Sequence, residues 1–198
     1  MKRMLLVLLL SGCALTSKAT PADIRYFTPE SAVAEHAKPV RSGAPMVRLG
    51  RITSSANLRA RIVSRESTWE VREYETLRWT ENPEMYVRRS LVRALFDDGN
   101  LERAMSGAAP TLDIEVIGFE EIHMRDRHAG RVELRYDLHD EQTSLASGTI
   151  AIERNASASI ESVIEAIGTA MNDASSELDR VVCARLQSDQ GIQATRGQ

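Results

Sequence analysis

The residue whose type and position most clearly suggest a chemical role is Cys13, which follows an N-terminal segment of distinctive composition. Basic and apolar residues (2–10) come first, and the small residues Ser11 and Gly12 follow them. The apolar run is too short to span a bilayer as a helix and has the length of a signal-peptide core. A cysteine thiolate is a nucleophile that can take a diacylglycerol group. We therefore predict that residues 1–12 form a signal peptide.

The four residues from Leu10 to Cys13 resemble the bacterial lipobox. This resemblance implies cleavage before Cys13 and lipidation of its thiol. Further acylation of the new amine would give three chains, and stable anchoring needs more than one chain. The alternative is a plain signal peptide with an incidental cysteine.

The second cysteine, Cys183, has no partner for an intramolecular disulfide if Cys13 carries lipid. Its neighbours Val181 and Val182 favour a buried thiol over an intermolecular bridge. The sequence assigns it no further role.

The charge balance argues against a nucleic-acid partner. The whole chain has 25 basic and 28 acidic residues, and loss of Lys2 and Arg3 leaves 23 against 28, a net charge of −5. An acidic chain lacks the positive field that general nucleic-acid binding needs.

The four histidines are candidate bases or metal ligands, at positions 36, 123, 128 and 139. His36 falls in the N-terminal region and His128 in a predicted turn. A hairpin register that pairs Ile122 with Leu134 places His123 and His139 far apart along the sheet. We therefore predict no metal site.

No catalytic constellation is visible in the sequence. In the same register Glu121 faces Arg135, which favours an exposed ion pair over acid–base chemistry. No serine lies in a G-x-S-x-G elbow, and Gly107 and Gly118 are isolated rather than part of a phosphate-binding loop. The sequence predicts no catalytic residue and no cofactor.

Alternating apolar residues predict the strands of one sheet. The predicted strands lie at residues 24–27, 46–53, 62–63, 69–73, 112–117, 132–138 and 145–153. Gly50 predicts a bulge or a close approach, and the phase slip at Val116 and Ile117 predicts a second bulge. The turn between the two longest strands is predicted at residues 127–130.

Two amphipathic helices complete the pattern. Asn82 as N-cap and Pro83 at the first position predict the start of the first helix, and Gly99 predicts a left-handed turn after it. The second helix begins after Ser159 and carries an apolar stripe to Leu186. The pattern predicts a single layered α/β domain over residues 24–187, a tether at 13–23 and a disordered tail at 188–198.

The run Leu49–Leu95, with "YETLRWTENP" followed by an arginine-bearing helix, resembles the ABC-type transport auxiliary lipoprotein family. The strand-rich middle and the long C-terminal helix agree with this resemblance, which covers about residues 24–187. It implies an α/β fold of three layers, in which a mixed sheet is flanked by helices. No catalytic motif belongs to the family, so the resemblance implies that the protein is not an enzyme.

The resemblance also implies a location and partners. The domain would be anchored to the outer membrane through Cys13 and face the periplasm, and Ala14 favours this sorting over inner-membrane retention. Its partners would be a mammalian-cell-entry-domain protein and an ABC permease and ATPase, which move phospholipid or other apolar cargo. Some members assemble as rings, so a homo-oligomer is compatible with the resemblance.

Partner docking, rather than bond chemistry, is the function that this reading predicts. Trp79, Met85 and Tyr86 are candidate contact residues because aromatic residues and methionine are enriched at interfaces, although core packing is the alternative for each. The arginines of the first helix could bind lipid headgroups, although a solvated face is the simpler expectation. A stand-alone periplasmic lipid carrier and an envelope hydrolase are the competing functions.

Overall fold

The computed structural model describes residues 22–30, 43–125 and 127–196, with side chains described as far as residue 188. Cys13, His36, the predicted signal peptide and most of the predicted tether lie outside the described residues. The strands of this part are β1 Arg25–Phe27, β2 Met46–Ser54, β3 Arg61–Arg65, β4 Val71–Trp79, β5 Glu102–Arg103, β6 Thr111–Met124, β7 Arg127–His139 and β8 Ser144–Ala156. The helices are α1 Pro83–Val92, a π-helical turn Arg93–Asp97 that continues it, and α2 Ile160–Arg196.

The strands form one mixed sheet built around β6. One edge of β6 carries two parallel strands in succession, with β2 beside residues 111–116 and β3 beside residues 121–122. The other edge pairs with β7 in antiparallel fashion, and β7 pairs with β8 in the same way. The short strand β1 adds to β4 in parallel at the sheet edge, as the sequence predicts.

Both predicted bulges are confirmed. The β2–β6 register shifts between Leu49 and Ile52, and a Cβ at Gly50 would lie only 2.2 Å from the Asp113 carboxylate. The same Asp113 oxygen accepts a hydrogen bond from the backbone N–H of Arg51 at 2.6 Å. The second shift lies between Val116 and Gly118 on β6.

The predicted register of the β6–β7 hairpin is wrong. Ile122 pairs with Ala129 rather than with Leu134, and Glu121 pairs with Gly130 rather than facing Arg135. The turn lies nearer β6 than predicted, where Arg125 adopts a φ of 56°. Residues 127–130, predicted as the turn, belong to β7.

Helix α1 begins at Pro83, as predicted, although the Asn82 side chain makes no capping hydrogen bond. The predicted left-handed turn at Gly99 is wrong, because the described glycines with positive φ are Gly43 and Gly107. Close packing explains why a glycine occupies this position, because a Cβ at Gly99 would lie 2.2 Å from the carbonyl oxygen of Ala94.

Helix α2 begins where the sequence predicts, with the Ser159 hydroxyl accepting a hydrogen bond from the N–H of Ser162 at 3.3 Å. Its helical backbone continues to Arg196, beyond Leu186, where the apolar stripe ends. It packs on β7 and β8 through buried residues of that stripe, including Val163, Ile167 and Leu178. No helix in the described part of the chain has the length and apolarity needed to cross a bilayer.

Both helices lie on the same face of the sheet. Tyr86 of α1 stacks on Phe119 of β6, and the backbone of α2 at Ile167 lies against Gly130, the partner of Glu121 on β6. Phe119 and Glu121 are two residues apart on one strand and therefore share a face. The expected single α/β domain, with a mixed sheet and a long C-terminal helix, is confirmed. The described residues form one helical layer on one sheet, whereas the resemblance implied three layers.

One hydrophobic core lies between the helices and this sheet face. Cys183 belongs to it as a buried free thiol, as predicted. Burial and the nearby Asp179 carboxylate raise the pKa of the Cys183 thiol, so it stays protonated near neutral pH.

Candidate functional site

The three residues proposed as partner contacts differ in exposure. Trp79 and Tyr86 are only 2% and 1% exposed, so the contact hypothesis is wrong for both. They form an aromatic cluster with Phe119, whose ring lies 5.3 Å from that of Trp79 and 6.3 Å from that of Tyr86. The cluster attaches α1 to the sheet. Met85 is 44% exposed and remains available for contact.

The arginine-bearing helix has one arginine that is already neutralised. Arg89 forms two hydrogen bonds with Glu30, at 2.7 and 3.1 Å, and a third with Glu81 at 2.7 Å. These carboxylates raise the pKa of Arg89 above its ordinary value. Arg89 therefore ties α1 to the segment that follows β1, which leaves it little capacity for an anionic headgroup.

Five polar side chains meet where β6 and β7 approach their shared turn, and we call them the His–Glu cluster: Glu66, Tyr74, Glu121, His123 and His128. His123 and His128 are directly paired across the two strands, and their rings lie 4.4 Å apart at an angle of 22°. Glu121, two residues before His123, shares its face of β6. Its Oε1 lies 2.8 Å from Nδ1 of His128.

The remaining members of the His–Glu cluster come from the β3–β4 hairpin. Tyr74 of β4 donates its hydroxyl proton to Oε2 of Glu121 at 2.5 Å. Glu66, which directly follows β3, has Oε2 at 3.4 Å from Nδ1 of His123 and accepts a hydrogen bond from the Ser64 hydroxyl at 2.9 Å. Because β3 lies parallel to β6 beside Glu121, the two hairpins meet at this cluster.

Electrostatics single out Glu121 within the cluster. Its side chain is 3% exposed, and its ion-pair partner among the described residues is His128, which is charged only when protonated. Burial and the hydrogen bond to Glu121 raise the pKa of Tyr74, so its phenol stays protonated and remains a donor. Three potential ligand atoms, one each from Glu121, His123 and His128, lie within 4.8 Å of one another.

Sequence reasoning missed this cluster because it used the wrong register. With a turn at 127–130, His128 could not face His123. The two histidines flank a short connection symmetrically, which is the pattern of a tight hairpin that brings them together. His139, the other strand histidine, lies at the far end of the hairpin opposite Thr111.

A second feature is the exposed tip of the β3–β4 hairpin. The Ser67 hydroxyl accepts hydrogen bonds from the backbone N–H groups of Trp69 and Glu70, at 3.3 and 3.1 Å. This turn leaves Trp69 94% exposed. Single exposed apolar residues are common, but an indole at a hairpin tip is a side chain that a partner can bury without disturbing the core.

The face of the sheet opposite the helices carries an open groove of about 660 Å³. Five charged side chains from β2, β6 and β7 contribute to its lining, together with hydroxyl-bearing and apolar residues: Arg51, Asp113, Glu115, Arg135 and Asp137. Arg135 pairs with Glu115 at 2.9 Å, so opposite charges offset each other within the groove.

Comparison with known proteins gives one family match and several fold matches. A family described as "ABC-type transport auxiliary lipoprotein component" matches residues 27–178. The crystal structure of protein XCC0632 from Xanthomonas campestris is 22% identical, covers 84% of this chain and 95% of its own, and superposes with a TM-score of 0.66. The hypothetical protein CT253 from Chlamydia trachomatis is 9% identical, covers 73% and 98%, and superposes with a TM-score of 0.52. No curated protein sequence matches the chain.

Proposed function

Because the chain belongs to the ABC-type transport auxiliary lipoprotein component family, we propose that it is a non-catalytic auxiliary subunit of an intermembrane lipid transport system. In this proposal it is anchored in the outer membrane and faces the periplasm. Its partners are a mammalian-cell-entry-domain protein and an ABC permease with its ATPase.

The observation that carries the proposal is the extent of the family match. Residues 27–178 include every strand from β2 to β8, helix α1 and the first half of α2, so the match spans the folded domain rather than one motif. The solved structures support the fold at low identity and add nothing about partners or cargo.

The anchor and the tether give the proposed mechanism. Lipidated Cys13 would hold the chain in a leaflet, and about ten residues would separate it from β1, which begins at Arg25. A domain confined near the membrane meets a partner at a raised effective concentration. Docking of the transport machinery then needs no reaction at the domain itself.

Co-purification tests this proposal. The full-length protein, tagged at its C-terminus, is isolated from its own organism in mild detergent, and the co-purifying proteins are identified by mass spectrometry. We expect a cell-entry-domain protein and an ABC permease or ATPase, enriched over an unrelated tagged outer-membrane lipoprotein. Recovery of none of these components after cross-linking would contradict the proposal.

A second arm of the same experiment locates the contact. Trp69→Ala changes the exposed hairpin tip, and Met85→Ala changes an exposed residue on α1. Loss of partners with one variant assigns docking to that surface. Recovery with both variants leaves the subunit role intact and assigns the contact to another surface.

The stand-alone lipid carrier gains no support from the open groove, because its lining is charged and hydroxyl-rich. That alternative requires acyl chains to be bound in the isolated protein. Native mass spectrometry would detect such a lipid as a discrete added mass.

A further inference from the structure

We propose that Glu121, His123 and His128, all on the β6–β7 hairpin, bind a zinc ion where this hairpin meets the β3–β4 hairpin. Two imidazoles and one carboxylate form a donor set that zinc commonly takes, with water in a remaining position. This site is independent of the proposed transport role, since it rests on side chains alone.

The first argument is convergence. Three potential ligand atoms already lie within 4.8 Å of one another on two directly paired strands. Donor atoms around a tetrahedral zinc lie roughly 3.3–3.6 Å apart, as follows from metal–ligand distances of about 2.0–2.2 Å. The present spacing of up to 4.8 Å exceeds that value, so zinc binding would draw the three donor atoms closer together.

The second argument is charge. Glu121 is 3% exposed, and its ion-pair partner in the described part of the chain is an imidazole. A buried carboxylate needs a counter-charge, and a divalent cation bound by Glu121 would supply one.

The third argument is the outer layer of contacts. Tyr74 donates to Oε2 of Glu121 at 2.5 Å, which orients the carboxylate. Oε1 lies 2.8 Å from Nδ1 of His128, and an ion bound by both residues would replace this contact. Glu66 lies 3.4 Å from Nδ1 of His123, which favours metal binding through Nε2 of that ring. Carboxylate–histidine–metal chains of this kind fix the tautomer and the ring orientation of a ligand. Because Tyr74 and Glu66 belong to the β3–β4 hairpin, metal binding would tie both hairpins together.

The test uses the full-length protein in detergent micelles, without a polyhistidine tag and after treatment with a chelator. Isothermal titration with zinc chloride is expected to give one ion per chain, and magnesium chloride is expected to give no binding. Cobalt(II) is expected to produce the intense visible absorption of a low-symmetry four-coordinate site.

Variants assign the ligands. His128→Gln and His123→Gln are each expected to weaken zinc binding by at least about 100-fold, and Tyr74→Phe by roughly 10-fold. The matched control is His139→Gln: His139 also lies near a carboxylate, Asp113 at 3.6 Å, and its side chain is 35% exposed against 37% for His123. It is expected to bind zinc like the unmodified protein.

Three results would overturn the proposal. They are no zinc binding by the unmodified protein, unchanged affinity in both cluster histidine variants, and an equal loss in His139→Gln. Circular dichroism establishes that each variant folds. If His128→Gln does not fold, the partly exposed His123 decides the question through its own variant and the cobalt spectrum.

Discussion

Glu120 and Glu121 are neighbours on β6 that point to opposite faces of the sheet, and both carboxylates are buried. Glu120 accepts two hydrogen bonds from Arg65, at 2.8 and 3.1 Å, so a permanent cation neutralises it. In the described part of the chain, the contacts of Glu121 come from the Tyr74 hydroxyl and the His128 imidazole, and neither is a permanent cation. The sequence favoured an exposed ion pair for Glu121, because alternation identifies a strand without giving its register. Buried polar clusters depend on register, so this one could not be predicted.

The Arg65–Glu120 pair is expected to stabilise the fold by more than a surface pair does. Arg65→Ala leaves a carboxylate that is 2% exposed, with Arg131 3.9 Å away, and is expected to cost about 3–5 kcal/mol in the free energy of unfolding. Arg72→Ala removes an exposed pair with Glu70 and is expected to cost less than about 0.5 kcal/mol. Urea unfolding measures both, and equal losses would contradict this assignment.

Truncation of the two tryptophans is expected to change stability by very different amounts. Trp79→Ala removes an indole packed against Tyr86 and Phe119 and is expected to cost about 3–5 kcal/mol. Trp69→Ala changes a side chain that is 94% exposed and is expected to alter stability by less than about 0.5 kcal/mol. Thermal unfolding of both variants checks the contrast. A large loss with Trp69→Ala would show that the hairpin tip is packed rather than free.

Asp179 on α2 is expected to lower stability at neutral pH. Burial raises its pKa, although the backbone N–H of Asn100 partly offsets the effect. Its folded-state pKa therefore exceeds the unfolded value, and stability falls as the pH rises through that folded value, by about 1.4 kcal/mol per unit of difference. The free energy of unfolding of Asp179→Asn, minus that of the unmodified protein, should therefore be larger at pH 7 than at pH 3.

Asp140 gives the opposite sign and serves as the control for this pH series. The N–H groups of Gln142 and Thr143 lower its pKa, so its stabilising contribution is present at neutral pH and is lost as the pH falls through the folded value. The free energy of unfolding of Asp140→Asn, minus that of the unmodified protein, should therefore be smaller at pH 7 than at pH 3. Urea unfolding at both pH values measures the two differences, and a pH-independent difference for Asp179→Asn would contradict the assignment.

At the scale of elements, periodicity predicted most strands and both helices, while glycine signals were ambiguous. The turn was predicted at residues that include Gly130, yet Gly130 lies within β7. A glycine is needed there because the backbone of α2 approaches the strand closely. The actual turn uses Arg125 with a φ of 56°, which a non-glycine residue rarely adopts. Gly99 likewise reflects close packing rather than a left-handed cap. A glycine that makes room for a distant element cannot be distinguished locally from a glycine that makes a turn.

Gly130 is therefore expected to set the distance between α2 and β7. A Cβ there would lie 2.3 Å from the backbone nitrogen of Ile167, so Gly130→Ala should force the helix away and cost about 1–3 kcal/mol. Gly148→Ala on β8 is the control, since its Cβ would meet the movable hydroxyl end of Tyr136 at 2.9 Å. It should cost less than about 1 kcal/mol. Comparable losses in chemical denaturation would contradict the close helix approach.

At the scale of the whole molecule, fold and family agree, while the arrangement of layers differs from expectation. Both helices share one sheet face: α1 packs there through the aromatic cluster, and α2 packs there against Gly130. The opposite face carries paired charges and the open groove. Sequence alternation predicts that a strand has a polar and an apolar side, but the side to which a distant helix returns depends on tertiary packing.

The membrane attachment of the whole protein is expected to depend on one of its two cysteines. Cys13→Ala removes the proposed acylation site, so radiolabelled palmitate should not be incorporated, and the protein should leave the membrane fraction. Cys183→Ala is the matched control, because that thiol is buried in the core and should not take lipid. It should be labelled and sedimented like the unmodified protein. Labelling that persists in Cys13→Ala, or that is lost in Cys183→Ala, would contradict the anchor assignment, because the proposed docking mechanism depends on a lipid at Cys13.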